Sequence, residues 1–239
     1  MRSPEFHDSP VFHVRELTVQ LKDHVLFRDF DLTIPRRGRI GIIGRSGVGK
    51  STLLRAIASY IWPPRSKWRE MTHPQGRCFY AAQRPNLPQE ITVKTLMEAF
   101  GATRDDCARV FERLCLHHVW AKRIRMLSGG EQQRLALAAA HFVNADIDIL
   151  DEPVTGLDPD LKLKATKFLS ESVSARESAL LVVSHDATTL GLLCDQVCAC
   201  GAHGTPILFQ SPYPRSIEAI TRGVDRNSFN DLLEWMTRL

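Results

Sequence analysis

Long apolar runs, a secretory leader and a strong net charge are all missing from this chain of 239 residues. No apolar run approaches the roughly 18 residues that span a membrane, and runs such as residues 179–183 have the length of strands. The N-terminus lacks the apolar segment of a secretory signal. A net charge of +4 is too small to indicate nucleic-acid binding. The composition therefore indicates a globular protein that would reach a membrane only through another chain.

Six cysteines are present, and half of them fall within residues 194–200. Their spacing fits no zinc-binding pattern, and no histidine lies near enough in sequence to complete a ligand set. We therefore predict a buried strand over residues 196–200, in which cysteines pack as small apolar side chains. Because no export signal is visible, all six are expected to be reduced thiols of a cytosolic protein.

The chain divides into a short leader, one large domain and a tail. Residues 1–10 resemble a cloning remnant or a disordered leader. The domain is predicted over residues 11–205, and short alternating apolar runs at 11–36 indicate an antiparallel sheet at its start. The C-terminal extension, residues 206–239, contains a predicted short helix at 228–239. That helix packs either on its own domain or on a second subunit.

Strand-length apolar runs alternate with helical patterns through the middle of the chain. Several of these runs end in polar residues, and parallel strands present such ends at one edge of a sheet, where ligands bind. Apolar faces at helical spacing indicate that residues 90–125 are helical. The core strands are predicted at residues 39–43, 78–82, 147–150 and 180–183.

A glycine-rich phosphate loop is predicted between the strand at 39–43 and the helix that follows it. The pattern G-x-x-x-x-G-K-[ST] occupies this position, and strand, loop and helix are the context in which the pattern binds phosphate. Glycines let backbone N–H groups surround an anion, and the helix N-terminus adds partial positive charge. Lys50 can reach the β- and γ-phosphates, and the Ser51 hydroxyl can ligate Mg²⁺. The predicted phosphate-binding residues are Gly44, Arg45, Ser46, Gly47, Val48, Gly49, Lys50, Ser51 and Thr52.

Two carboxylates at the end of a later strand supply the second half of this site. Asp151 ends the strand predicted at 147–150 and can hold Mg²⁺ from the side opposite Ser51. Glu152 comes next and is placed to polarise a water for attack on the γ-phosphate. Because the pair follows Lys50 and Ser51 in the chain, it indicates hydrolysis of a nucleoside triphosphate.

The segment from Leu127 to Arg134, read Leu-Ser-Gly-Gly-Glu-Gln-Gln-Arg, resembles the signature of ATP-binding cassette (ABC) ATPases. Further motifs follow the family's order: a lone Gln83 after a strand, Thr-Gly-Leu-Asp ending at Asp158, and Ser-His-Asp around His185. The resemblance covers about residues 11–205. It implies an α/β fold of the P-loop NTPase (RecA-like) type, with a parallel-sheet core, an N-terminal antiparallel β subdomain and an inserted α-helical subdomain at about 84–127.

The resemblance also implies a dimer in which two cassettes sandwich two ATP molecules. Ser128, Gly129 and Gly130 form a helix N-terminus suited to anions, which would face the ATP of the partner cassette. In the family, Gln83 would sense Mg²⁺ and the attacking water, His185 would contact the γ-phosphate, and Asp158 would act across the interface. The implied ligands are ATP and Mg²⁺, with Ser51, Gln83 and Asp151 as metal ligands and Lys50, Gln83, Glu152 and His185 as catalytic residues.

Three features depart from the family pattern. Leu21 stands where an aromatic ring usually stacks on adenine, although Phe12 or Phe27 could substitute. Asp148 lies inside the carboxylate strand, so it must be partnered, neutral or at an exposed edge. The connection from Lys50 to Gln83 is short, which indicates a trimmed antiparallel subdomain.

A single cassette without a membrane segment most often couples ATP to a separate permease. The main hypothesis is therefore an ATPase that pairs with a second copy or a related cassette and lies on the inner face of the cell membrane through that permease. The helical segment at 84–127 is the expected docking subdomain. A soluble cassette acting in complex assembly or DNA maintenance is the alternative, and a non-hydrolysing scaffold is a third hypothesis. Transport direction and cargo stay open.

Overall fold

The computed structural model describes residues 10–44, 46–72 and 76–200, together with the backbone of a strand at 206–210. Three sequence predictions lie outside these residues. They concern the leader at 1–9, Arg45 of the phosphate loop and the C-terminal helix at 228–239.

An antiparallel sheet of three strands opens the domain, with the strand order β2-β1-β4. Apolar side chains of β1 and β2 alternate toward a buried cluster, as the sequence pattern predicts. The third strand lies in a connection that the sequence analysis leaves without structure, because three residues are too few to show alternation. The strands are β1 (Phe12–Leu21), β2 (His24–Ile34) and β4 (Glu70–Thr72).

The core sheet has six strands in the order β5-β6-β7-β3-β8-β9. Its first five strands are parallel, which confirms the predicted parallel core, and β3, β6 and β7 are buried along their whole length. The strands are β3 (Arg39–Gly44), β5 (Cys78–Ala81), β6 (Ile147–Asp151), β7 (Ala179–Val183), β8 (Gln196–Cys200) and β9 (Pro206–Gln210).

The last two strands of the core sheet, β8 and β9, include one that the sequence predicts and one that it does not. The predicted cysteine-rich strand is confirmed as β8, in which Cys198 and Cys200 are buried. Strand β9 pairs with β8 in antiparallel register, so the core sheet continues past residue 205, the domain end predicted from the sequence. Pro206 is compatible with this position because it begins an edge strand, where a missing N–H breaks no interior ladder.

In the part of the chain that the structure describes, six α-helices cover the sheets and form the inserted helical segment. The predicted helical region at 90–125 is interrupted, because Gly101 adopts a positive φ of 76° and two 3₁₀ turns replace helix at His117–Val119 and Ile124–Met126. No helix of the described residues is both long and apolar enough to cross a membrane. The helices are α1 (Lys50–Ser59), α2 (Val93–Ala99), α3 (Arg104–Arg113), α4 (Gly129–Val143), α5 (Pro159–Arg176) and α6 (Ala187–Leu193).

Asp148 is partnered, which was one of the three possibilities that its sequence position left open. Its carboxylate is fully buried in β6 and lies 2.5 Å from Nη2 of Arg176, at the end of α5. The Ser178 hydroxyl donates a second hydrogen bond over 3.2 Å. Burial raises the pKa of Asp148, and the bonds from Arg176 and Ser178 oppose that rise.

Candidate active site

The loop between β3 and α1 owes its shape to glycines. Gly49 has a φ of 103°, and a Cβ there would lie 3.1 Å from atoms of Leu26 and Phe27. Gly44 is equally constrained, because its Cβ would lie 2.6 Å from the carbonyl oxygen of Cys200 on β8. At position 49, the positive φ and the close contact with Leu26 and Phe27 both favour a residue without a side chain. Glycine therefore lets the loop turn tightly and present its backbone N–H groups.

Lys50 begins α1 and is almost entirely buried. Its Nζ donates a hydrogen bond of 2.6 Å to the carbonyl of Gly44, at the other end of the same loop. Burial lowers the pKa of Lys50, whereas the negative charges of Glu152 and Asp151 act to raise it. The ammonium group is therefore held at the phosphate loop and faces two carboxylates.

Glu152 has a strained backbone that its neighbours hold in place. It follows β6 and has a φ of 51°, a value that costs a non-glycine residue free energy. Its N–H donates to the Val183 carbonyl at 2.9 Å, and its own carbonyl accepts from Nε2 of Gln133 at 2.6 Å. The Thr155 hydroxyl donates to Oε2 over 2.6 Å. Sequence reasoning missed these supporting roles of Gln133 and Thr155, although both residues belong to motifs that it identified.

The other carboxylate oxygen of Glu152 points toward His185. Oε1 lies 3.3 Å from Nε2 of His185, whose side chain is half exposed. The histidine follows β7, so parallel strands β6 and β7 bring the two residues to the same edge of the sheet. Oε1 has no hydrogen-bond partner among the described residues, so the contact with His185 is an ion pair when the imidazole is protonated.

A cavity of about 390 Å³ brings most of the predicted site together. Gly44 and Val48 do not line it, because Gly44 supports Lys50 from behind and Val48 packs on the apolar cluster beneath the loop. Arg45 lies outside the described residues. The predicted residues that line the cavity are Ser46, Gly47, Gly49, Lys50, Ser51, Thr52, Gln83, Asp151, Glu152 and His185.

The donor atoms in this cavity suit a magnesium ion. Ser51 offers a hydroxyl oxygen, Asp151 a carboxylate and Gln83 an amide oxygen, and all three side chains belong to residues that line the same cavity. Oxygen ligands of this kind are those that Mg²⁺ takes beside nucleotide phosphates. The residues present therefore fit the ion that the sequence implies.

The outer wall of the cavity is aliphatic. Leu21 and Leu26 line it, and Leu21 is 45% exposed. Phe12 and Phe27, the alternatives that the sequence offered for stacking on adenine, are both buried in the core and do not line the cavity. Leu26 escaped the sequence analysis, although strand alternation predicts that it faces away from Phe27.

The remaining predicted residues form a separate surface. Ser128 caps α4 and accepts the N–H of Glu131, while the Glu131 carboxylate accepts the N–H of Ser128. The hydrogen bond from the Ser128 N–H, with help from His118, lowers the pKa of Glu131 to about 2, so the cap stays ionised even in acidic solution near pH 4. A second cavity of about 500 Å³ is lined by Gly129 and Gly130 and shares Gln83 with the first.

Asp158 also lies outside the first cavity. It caps α5 by accepting the N–H of Leu161 at 3.1 Å, and like Ser128, Gly129 and Gly130 it does not line that cavity. The structure thus separates the predicted residues around the phosphate loop from Ser128, Gly129 and Gly130 at the start of α4 and from Asp158 at the start of α5.

A phosphate loop on a parallel sheet, with carboxylates at the neighbouring strand end, defines an α/β nucleotide-binding domain. The family model described as ABC transporter matches residues 27–155. The zinc import ATP-binding protein ZnuC of Psychrobacter cryohalolentis is 30% identical over 183 residues, which cover 74% of each chain. The chain belongs to the ABC transporter family, as an ATPase domain.

Two further likenesses extend this comparison. ABC transporter E family member 1 of Arabidopsis thaliana is 32% identical over 211 residues, and these cover 76% of this chain but 35% of the plant protein. A solved ATP-binding subunit of an ABC transporter superposes with a TM-score of 0.72 at 19% identity, covering 95% of this chain and 99% of that one. The chain thus spans about a third of its plant relative, and the solved structure confirms the predicted fold class.

Proposed function

We propose that this chain hydrolyses ATP with Mg²⁺, that ATP joins two cassettes into a dimer, and that the dimer energises a separate membrane permease. The observation that carries the proposal is the division of the site. Among the described residues, one cavity is lined by the phosphate loop and its carboxylates, and a different cavity is lined by the N-terminus of α4, a helix end that favours anions. A second anion site on the same chain has a use if it serves the ATP of a partner.

The first cavity supplies the parts that binding of a triphosphate requires. Backbone N–H groups of the loop and the N-terminus of α1 attract phosphate, and Lys50 leaves the Gly44 carbonyl to pair with it. Ser51, Asp151 and Gln83 would hold Mg²⁺, which neutralises phosphate charge when bound. Leu21 and Leu26 offer the nucleobase an apolar contact without a ring to stack on.

Glu152 is assigned as the base that polarises the attacking water. Its carboxylate is buried, positioned by Thr155, and faces the same cavity as Lys50. His185 lies beside it and would bind the γ-phosphate oxygen while keeping the carboxylate aligned. Gln83 lines both cavities, so it can link the nucleotide to the helical segment that follows it.

The signature surface is assigned to the partner's nucleotide. Beyond the neighbouring residues and the helix backbone, no described atom lies within 4 Å of a Cβ built on Gly129, so α4 faces open space at that position. The N-terminus of this helix carries partial positive charge, and the Ser128 hydroxyl can donate to an arriving phosphate. Asp158 at the start of α5 would act across the same interface.

Ser128→Ala tests whether the start of α4 serves the partner's nucleotide and not the chain's own. We expect nucleotide affinity of the isolated chain to change by less than about twofold, since Ser128 does not line the first cavity, while turnover falls roughly 10²-fold through loss of a transition-state donor. Nucleotide titration and phosphate release measure the two effects separately.

Thr103→Ala is the matched control for this variant. Thr103 and Ser128 both cap a helix through a capping box, so both substitutions weaken a cap by about 1 kcal/mol. Only Ser128 belongs to the proposed interface. Equal losses of turnover in the two variants would reject the assignment, as would a large loss of affinity in monomeric Ser128→Ala.

The permease is proposed to dock on the helical segment at 84–127 and to hold the chain at the inner face of the membrane. Purification of the protein from native membranes is expected to recover a protein with several membrane spans, and to lose it when exposed residues of α2 and α3 are changed. Recovery of soluble factors or DNA alone would favour the alternative of assembly or DNA maintenance.

A further inference from the structure

Exposed apolar side chains are concentrated in the segment that follows the phosphate-loop helix, outside both cavities of the proposed site. Seven large hydrophobic side chains are notably exposed among the described residues, and three of them belong to one short segment: Tyr60 at 43%, Ile61 at 74% and Trp68 at 42%. Large exposed apolar side chains that are concentrated in one short segment indicate a candidate interaction site. None of the three residues lines either cavity of the proposed site.

The same segment is strongly basic. No aspartate or glutamate occurs between residues 32 and 69, whereas Arg65, Lys67 and Arg69 alternate with Ser66 and Trp68. Arg69 pairs with Glu16 at 2.9 Å. Among the described residues, no carboxylate forms an ion pair with Arg65 or Lys67. Their positive charges are therefore available to an anionic partner.

The segment has a fixed shape along the edge of the antiparallel sheet. Lys67 and Thr18 of β1 exchange two backbone hydrogen bonds of 2.8 Å, and Arg65 donates to the Lys22 carbonyl at 3.3 Å. The rings of Trp62 and Trp68 lie 5.9 Å apart, so the exposed indole rests on a half-buried one. Because the backbone is already ordered, binding would cost little conformational entropy.

We propose that Tyr60, Ile61, Arg65, Lys67 and Trp68, the basic–aromatic patch, bind the surface of a bilayer that contains anionic phospholipids. Tryptophan and tyrosine favour the membrane interface, where one part of the ring is apolar and the other is hydrated. Arginine and lysine beside them gain free energy from anionic headgroups and can direct their charges outward while their stems stay apolar.

The patch suits a bilayer better than a nucleic acid. Its most exposed apolar side chain is Ile61, an aliphatic group that enters acyl chains but cannot stack on a base. The net charge of the whole chain is only +4, whereas nucleic-acid binding depends on many phosphate contacts. The contact would reinforce attachment of the ATPase to a membrane and requires neither ATP nor the permease, in contrast to the expectation from composition that the chain reaches a membrane only through another chain.

Sedimentation with vesicles of phosphatidylcholine, with or without phosphatidylserine, tests the proposal on the full chain. We expect binding only to the anionic vesicles, with an affinity that falls as salt rises. Arg65→Gln with Lys67→Gln should lower the partition coefficient about 30-fold, since each charge contributes roughly fivefold. Ile61→Ser with Trp68→Ser should lower it roughly tenfold.

Matched controls come from exposed side chains elsewhere. Lys164→Gln with Lys167→Gln removes two exposed lysines of α5 and should leave vesicle binding unchanged. ATP turnover without vesicles reports that each variant is folded. Equal vesicle binding by the two charge variants, or equal binding to neutral vesicles, would overturn the proposal. Binding to a single-stranded oligonucleotide but to no vesicle would identify a nucleic-acid surface instead.

Discussion

Glu152→Gln is expected to lower ATP turnover about 10³-fold while nucleotide binding is retained. The substitution removes the proton-accepting charge, and general-base catalysis typically contributes between about 10² and 10⁴-fold. The amide has the same shape, so it can still accept the Thr155 hydroxyl that bonds Oε2 at 2.6 Å. Phosphate release and nucleotide titration on the same preparation measure the two properties.

The variant should also accumulate as an ATP-bound dimer, because hydrolysis is the step that separates the two cassettes. Size exclusion with ATP and Mg²⁺ is expected to show a dimer for Glu152→Gln and mainly monomer for the unmodified chain. Glu171→Gln is the control, since its carboxylate is 64% exposed on α5 and pairs only with surface Arg113 among the described residues. If Glu152→Gln stayed monomeric under all conditions, or if its turnover were within threefold of the unmodified chain, the proposed ATP-bound dimer would be contradicted.

The phosphate loop could be predicted from the sequence because the residues that define it are contiguous in the chain. The backbone conformation at Gly49 and the start of α1 at Lys50 follow from neighbouring residues, and the motif records both. Asp151 and Glu152 were equally accessible, since a buried parallel strand delivers the residues that follow it to one known edge. Local sequence therefore located the residues that were expected to do chemistry, and their roles stay proposals.

Features that depend on distant pairing escaped the sequence. Strands β4 and β9 are defined by hydrogen bonds to β1 and β8, and neither has enough alternation of its own to be recognised. The apolar wall at Leu26 required knowledge of which face of β2 meets the cavity. Gln133 reaches Glu152 across 19 positions of the chain, a contact that only the packing of α4 creates.

The partner of the buried Asp148 carboxylate was likewise not predictable from the sequence. The sequence placed a carboxylate in a buried strand and required a partner, but it could not name one. The partner, Arg176, is 28 positions away at the C-terminal end of α5, and its side chain is 8% exposed. The pair thus joins the core sheet to α5, the helix that is capped by Asp158, a residue of the proposed dimer interface.

Arg176→Met is expected to lower the free energy of unfolding by about 3–5 kcal/mol, since it leaves the fully buried Asp148 carboxylate without its cation. Denaturant titration measures the loss. Asp148→Val combined with Arg176→Met should recover most of it, because an apolar pair of similar volume has no charge to desolvate. Arg37→Met is the control: its ion pair with Glu177 has the same close geometry, 2.6 Å, but both side chains are more than half exposed, so less than about 1 kcal/mol should be lost.

The loss of stability in Arg176→Met should depend on pH. Burial raises the pKa of Asp148 above its ordinary value of about 3.9, and removal of Arg176 raises it further. A carboxyl group with a raised folded-state pKa contributes most stability below the unfolded-state value and loses it as pH rises through the folded-state value. The deficit of Arg176→Met should therefore shrink as pH falls toward 4 and be largest near neutrality. If the deficit were independent of pH, or if the double variant were as unstable as Arg176→Met, Arg176 would be stabilising α5 through its packing and not through the charge of Asp148.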